Sequence, residues 1–118
     1  MTYMRSTGLF LISAWLGLIL LQPVPSQAAG DPTKGKAIYE QRCATCHGPQ
    51  GKGDGPTGKM LKPPAADFTS TASKKKSEAD LRQVIENGKT GTAMVPWKTQ
   101  ISEADIDNVL AYLNTLRK

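Results

Sequence analysis

The chain has 118 residues, 39% of them hydrophobic and 21% charged, and a formal net charge of +5. That length suits one domain and leaves no room for several. The charge suits acidic protein partners or an anionic membrane surface. With no basic helix and no interleaving of aromatic and basic residues, it does not point to nucleic acid.

The N-terminus reads as a secretory signal peptide. Arg5 supplies a positive charge, and Leu9 to Leu21 is apolar apart from Ser13 and Gly17. Small residues then stand at Ser26 and Ala28, the pattern of a cleavage site. The apolar run is shorter than the roughly 20 residues that a transmembrane helix needs. The expectation is cleavage near Ala28, leaving 29–118 as the mature domain in the periplasm. An uncleaved leader would instead tether the same domain to the outer face of the membrane. Removing Arg5 lowers the net charge from +5 to +4. So short a mature chain buries proportionally little surface. Its large apolar residues are concentrated in three stretches, so a disulfide, metal or cofactor is expected to staple it.

Asp31-Pro32 opens the first helix: Asp caps it and Pro is tolerated at its first position. That helix is expected over about 32–45. Gly- and Pro-rich sequence then predicts a long loop from about 48 to 76, with one helical turn near Met60. A loop of that length in so small a domain points to a group other than protein that it wraps. Ser77 and Asp80 form a capping pair with Asp in place of the usual Glu, and Leu81, Val84 and Ile85 share one face of the second helix. Asn87-Gly88 ends it. A second loop, about 88–101, leads to Ser102, where the last helix starts. There Ile106, Val109, Leu110, Leu113 and Leu116 make one apolar stripe. No segment alternates as a half-buried strand would. The fold class expected is small all-α, with three main helices and two long loops.

Residues 43 to 48 read CATCHG, and they hold both cysteines and the one histidine of the chain. A disulfide between Cys43 and Cys46 would close too small a loop to restrict the unfolded chain much. A redox-active pair would want a thioredoxin-like βαβ context. Zinc wants four ligands, and Cys43, Cys46 and His47 are three. Covalent attachment of haem c satisfies all three residues at once. The two thiols, on one helix end, add to the vinyl groups of one porphyrin, and His47 reaches the iron from the same side. The ring then supplies the apolar core that the chain lacks.

The other axial position has two candidates, Met60 and Met94. Met94 lies in GTAMVPW between two helices. Ligands on opposite haem faces come from opposite walls, which favours Met94 over Met60, so near to His47 in sequence. Thioether ligation favours ferrous iron and raises the potential. A six-coordinate iron has no vacant site, which argues for electron carriage and against catalysis.

In this order of elements the chain resembles the class I c-type cytochromes, bacterial monohaem type. The resemblance covers essentially all of the mature chain. It implies a close crossing of the first and last helices, with Gly35 and Tyr39 on one and Tyr112 on the other. It also implies that the carbonyl of Pro63 or Pro64 accepts a hydrogen bond from the His47 ring. Val95 stands between Met94 and Pro96 where family members often have Pro directly after the ligand. Trp97 is a candidate either to reach a haem propionate with its indole N–H or to pack against the ring edge.

Eight lysines between Lys52 and Lys98 lie in or beside the two loops. A basic rim there would steer acidic redox partner proteins to the haem edge. The function expected is single-electron transfer by a periplasmic monohaem cytochrome c. The alternatives are a haem c subunit of a periplasmic oxidoreductase and a five-coordinate haem gas sensor. Contact with the membrane is expected only through redox complexes or an uncleaved leader.

Overall fold

A computed structural model describes residues 29–118. The expected signal peptide lies outside the described residues. Helix α1 spans Pro32–Arg42; the Asp31 carboxylate accepts hydrogen bonds from the backbone N–H groups of Thr33 and Lys34, at 2.8 and 3.3 Å, and Pro32 takes the first position. The helix breaks at Cys43 and resumes as the single turn α2, Ala44–His47, which Gly48 ends. The one helix expected over 32–45 is thus two pieces and reaches two residues further.

The first long loop carries a 3₁₀ turn at Gly58–Met60, where one turn was expected. It also carries a short helix that the sequence did not announce, α3, Thr71–Lys74, capped by the Ser70 hydroxyl. Helix α4 is Glu78–Asn87, and helix α5 is Glu103–Leu116. Both open with reciprocal capping: Ser77 with Asp80, as expected, and Ser102 with Asp105, at the expected helix start. The described residues contain no strand. No described helix is long and apolar enough to cross a membrane.

The core joins α1, α4 and α5. Tyr39 is fully buried, and Ile106, Val109 and Leu110 are each 1% exposed. Burying a side chain of that size is worth roughly 1.5–3 kcal/mol. Helices α1 and α5 touch backbone to backbone: a Cβ on Gly35 would lie 1.8 Å from the carbonyl oxygen of Asn108. Only glycine permits that approach, and it brings the rings of Tyr39 and Tyr112 to 5.2 Å at an interplanar angle of 60°, a favoured tilted geometry. Arg82 pairs with Glu86 on its own helix and with Asp107, tying α4 to α5. These contacts leave α2 and the two long loops to frame the remaining space.

Candidate haem site

A cleft opens beside the core. Helices α1 and α2 contribute Cys43 and His47, the second loop contributes Met94, Trp97 and Ile101, and α5 contributes Val109 and Leu113. The turn of α2 sets the cysteine and histidine together: the N–H groups of Cys46 and His47 both donate to the Cys43 carbonyl, at 3.2 and 2.9 Å. Both cysteines are free thiols and half-buried. Burial, and secondarily the neighbouring Cys46, push the Cys43 thiol up to about 11. A thiol so shifted stays protonated at neutral pH, unlike the low-pKa thiolates of redox catalysts.

The His47 ring is held on two sides. Its Nδ1 lies 3.0 Å from the Ala66 carbonyl. A carbonyl only accepts, so Nδ1 carries the proton and Nε2 keeps its lone pair. Burial lowers the His47 pKa, partly opposed by that hydrogen bond, so the imidazole is neutral, the form that binds metals. The Phe68 ring stacks on it with centroids 4.7 Å apart.

The Ala66 bond corrects the expectation for Pro63 and Pro64. Both prolines are exposed. The chain runs past them and folds back: Phe68 N–H donates to Gly51 at 2.7 Å, and Gly53 N–H donates to His47 at 2.8 Å. That return strand of loop, two residues beyond the prolines, presents the Ala66 carbonyl to the ring. Phe68 itself escaped notice, although it is the sole aromatic residue between His47 and Ser77. An isolated buried aromatic in a Gly/Pro loop was the available signal.

On the other side, the second loop is shaped by backbone bonds. Lys89 N–H donates to the Met94 carbonyl at 3.0 Å, Met94 N–H donates to the Thr92 hydroxyl at 3.1 Å, and Trp97 N–H donates to the Ile85 carbonyl at 2.9 Å. Met94 is half-buried in the cleft, whereas Met60 is 75% exposed. Among the described residues no three His, Cys, Asp or Glu side chains converge as a metal-ion site.

The donor set fits a haem. An imidazole nitrogen, a thioether and the Cys43 thiol border one largely apolar cleft, and Cys46 follows three residues on, outside its lining. This combination on an all-helical frame defines a c-type cytochrome domain. The chain belongs to the family described as cytochrome c oxidase, cbb3-type, subunit III, which matches residues 30–113. It is 36% identical to cytochrome c-554(547) of Halothiobacillus neapolitanus, over 75% of this chain and the full length of that protein. It is 31% identical to the cbb3-type cytochrome c oxidase subunit CcoP of Azospirillum brasilense, over 77% of this chain but 30% of that subunit. Among solved structures, the reducing HAO-like protein complex of Kuenenia stuttgartiensis superposes with a TM-score of 0.65 at 25% identity, over 75% of this chain and 44% of that one. Membership of this family implies haem c, and the single Cys-x-x-Cys-His segment is consistent with one such group.

Proposed function

We propose that this chain is a periplasmic carrier of single electrons, holding one haem c through Cys43 and Cys46 with His47 and Met94 as axial ligands. The observation that carries the reading is that His47 and Met94 border the same apolar cleft, while the competing Met60 is exposed. Bound haem supplies a one-electron iron couple. The residues do the rest. Ala66 and Phe68 orient the His47 ring so that Nε2 is the free nitrogen. Ile85, Val109 and Leu113 line the cleft with hydrocarbon and exclude water. The Met94 thioether favours the ferrous state. With His47 and Met94 both holding the iron, no open position would remain for a substrate, which would suit a carrier. Trp97 lines the cleft, and its indole N–H has no hydrogen-bond partner among the described residues, so it is free to meet a propionate. The charged start, apolar run and small residues of 1–28 support export to the periplasm. The net positive charge supports acidic redox partners.

A second reading is a haem domain working inside a larger oxidoreductase. The matches to CcoP, of which this chain spans about three-tenths, favour it. Co-purification with a larger subunit separates the two.

The test is the absorption spectrum of the protein matured in a host that attaches haem c. The oxidised wild type should show the weak far-red band of sulfur-to-iron charge transfer. Met94→Ala should abolish the band and lower the potential by on the order of a few tenths of a volt. A wild type that lacks the band and binds carbon monoxide when reduced would replace the carrier by a gas sensor.

A further inference from the structure

The last turn of α5 meets the first long loop at two points. Just past the helix, the Arg117 guanidinium reaches α3. Its Nη2 donates to the Ser73 carbonyl at 2.8 Å and also meets the carbonyls of Lys74 and Lys76. Those carbonyls stand at the C-terminal end of α3, where a cation is favourable. Nη1 donates to the Asn114 side-chain oxygen at 3.3 Å, which fixes the guanidinium to α5. Arg117 makes no ion pair among the described residues, and its Nε is buried without a hydrogen-bond partner. A merely solvated arginine would not bear that cost. Leu116 makes the second contact. A Cβ on Gly51 would lie 3.0 Å from both Leu116 Cδ1 and Phe68 Cδ2. The two side chains therefore converge on one glycine, and Leu116 packs against the core cluster that contains Phe68.

We propose that Arg117 and Leu116 are positioning residues for the His47 imidazole, acting through Phe68. This deepens the electron-carrier reading and rests on its assignment of His47 as an iron ligand. The ring has two constraints: the 3.0 Å bond from Nδ1 to the Ala66 carbonyl, and the Phe68 ring stacked at 4.7 Å. A hydrogen bond fixes one atom and leaves the ring free to rock about it. The stacked ring removes that freedom, but only as well as it is itself held.

Residues 66–76 carry that hold from one end to the other. The Asp67 carboxylate accepts from the Thr69 N–H at 2.8 Å and from the Thr69 hydroxyl at 2.7 Å. The Ser70 hydroxyl donates to the Asp67 carbonyl at 2.8 Å and accepts from the Ser73 N–H at 3.2 Å, which caps α3. The segment is thus one hydrogen-bonded unit. His47 and Phe68 meet at its start, Arg117 grips its far end, and Leu116 bears on Phe68 directly. A change at Arg117 or Leu116 therefore reaches the imidazole without touching it, and the orientation of a ligating ring tunes the metal it holds.

Arg82 supplies the contrast. It too bridges two elements, through Glu86 on α4 and Asp107 on α5. It bonds to no residue of 66–76. Its loss should loosen the frame and leave the imidazole where it is.

The test compares Arg117→Gln, Leu116→Ala and Arg82→Gln in the haem-loaded protein. All three should melt earlier. Only the first two should change the spread of haem methyl shifts in the oxidised protein, which follows the plane of the axial imidazole, and displace the midpoint potential. Amide exchange at Phe68 should quicken about tenfold in those two, and by less than about twofold in Arg82→Gln. Arg117→Lys should recover part of the loss, since lysine keeps the charge but not the fork. A methyl spread unchanged in either Arg117→Gln or Leu116→Ala, or changed as much in Arg82→Gln, would overturn the proposal. The far-red band and carbon monoxide binding of the wild type report separately on the carrier reading, and Phe68 exchange does not depend on the ligands of the iron. A failed carrier reading therefore shows in the wild-type spectrum, and a failed positioning proposal shows in the variants.

Discussion

The two long loops border the same cleft but are built differently. The first, between α2 and α4, folds back on itself and buries an aromatic: Phe68 is 8% exposed and stacks on His47. The second, between α4 and α5, buries no residue fully; Met94, Trp97 and Ile101 are half-buried, and Val95 is exposed. The first loop holds the His47 ring by a hydrogen bond to the Ala66 carbonyl and a stacked ring. The second holds Met94 only by the backbone around it. The difference teaches where rigidity resides. The histidine ring is oriented by the protein alone, whereas the Met94 thioether, with three rotatable bonds and no polar tether, keeps freedom to turn.

The sharpest way to break this contrast is Phe68→Ala. Removing a buried phenylalanine costs about 3–5 kcal/mol, so thermal melting of the holoprotein should fall steeply. The His47 ring should lose its fixed orientation, read as altered haem methyl shifts by NMR. The far-red methionine band should persist. If the band disappears with the stacking ring, the two loops are one unit and the contrast fails.

Gly88→Ala probes the other side. Gly88 sits at φ 71°, ψ −172°, and a Cβ there would lie 2.6 Å from the Met94 carbonyl oxygen. That backbone conformation is essentially restricted to glycine, so the expected cost is about 2 kcal/mol. Denaturant unfolding measures it. The far-red band should weaken or shift while the histidine-side signals hold, the converse of the Phe68 result.

The smallest effect concerns the start of the first loop. The Tyr39 hydroxyl donates to the Gly48 carbonyl at 2.7 Å. Burial above all, and then the nearby Cys43, Tyr112 and Asp54, raise its pKa well beyond the ordinary value of 10.0. A raised folded-state pKa means that this stabilisation is complete below pH 10 and is lost as pH rises toward the folded value. Tyr39→Phe should cost about 1 kcal/mol at neutral pH for the lost hydrogen bond. It should also flatten the alkaline decline in stability. Denaturant midpoints at pH 7 and pH 11 check both. An unchanged alkaline slope would assign the decline to other groups.

Much of this was legible in the residues themselves. Capping by Ser77 and Ser102 is local, since each motif is complete within four residues. The turn near Met60 and the helix-ending Gly88 were local as well. The break at Cys43 was not, because Ala-Thr-Cys-His has ordinary helical character, and the resumed turn is shaped by the loop packed against it. Nor was α3. Its C-terminal carbonyls are met by Arg117, from the far end of the chain, and a four-residue helix does not hold without such a partner. The histidine's partner was misplaced for a related reason. A Gly/Pro-rich composition announces a loop, but which carbonyl it delivers depends on where the loop folds back.

By itself the sequence determined the helical class, the caps, the attachment segment and the pair of methionines in contention. These depend on residue type and on spacing along a helix, which act over a few bonds. Only the tertiary structure decided that Ala66 and Phe68 hold His47 and that Met94 shares its cleft while Met60 faces solvent. Those are meetings of residues far apart in the chain, set by the crossing at Gly35 and the folding back of two loops, and no local pattern encodes them.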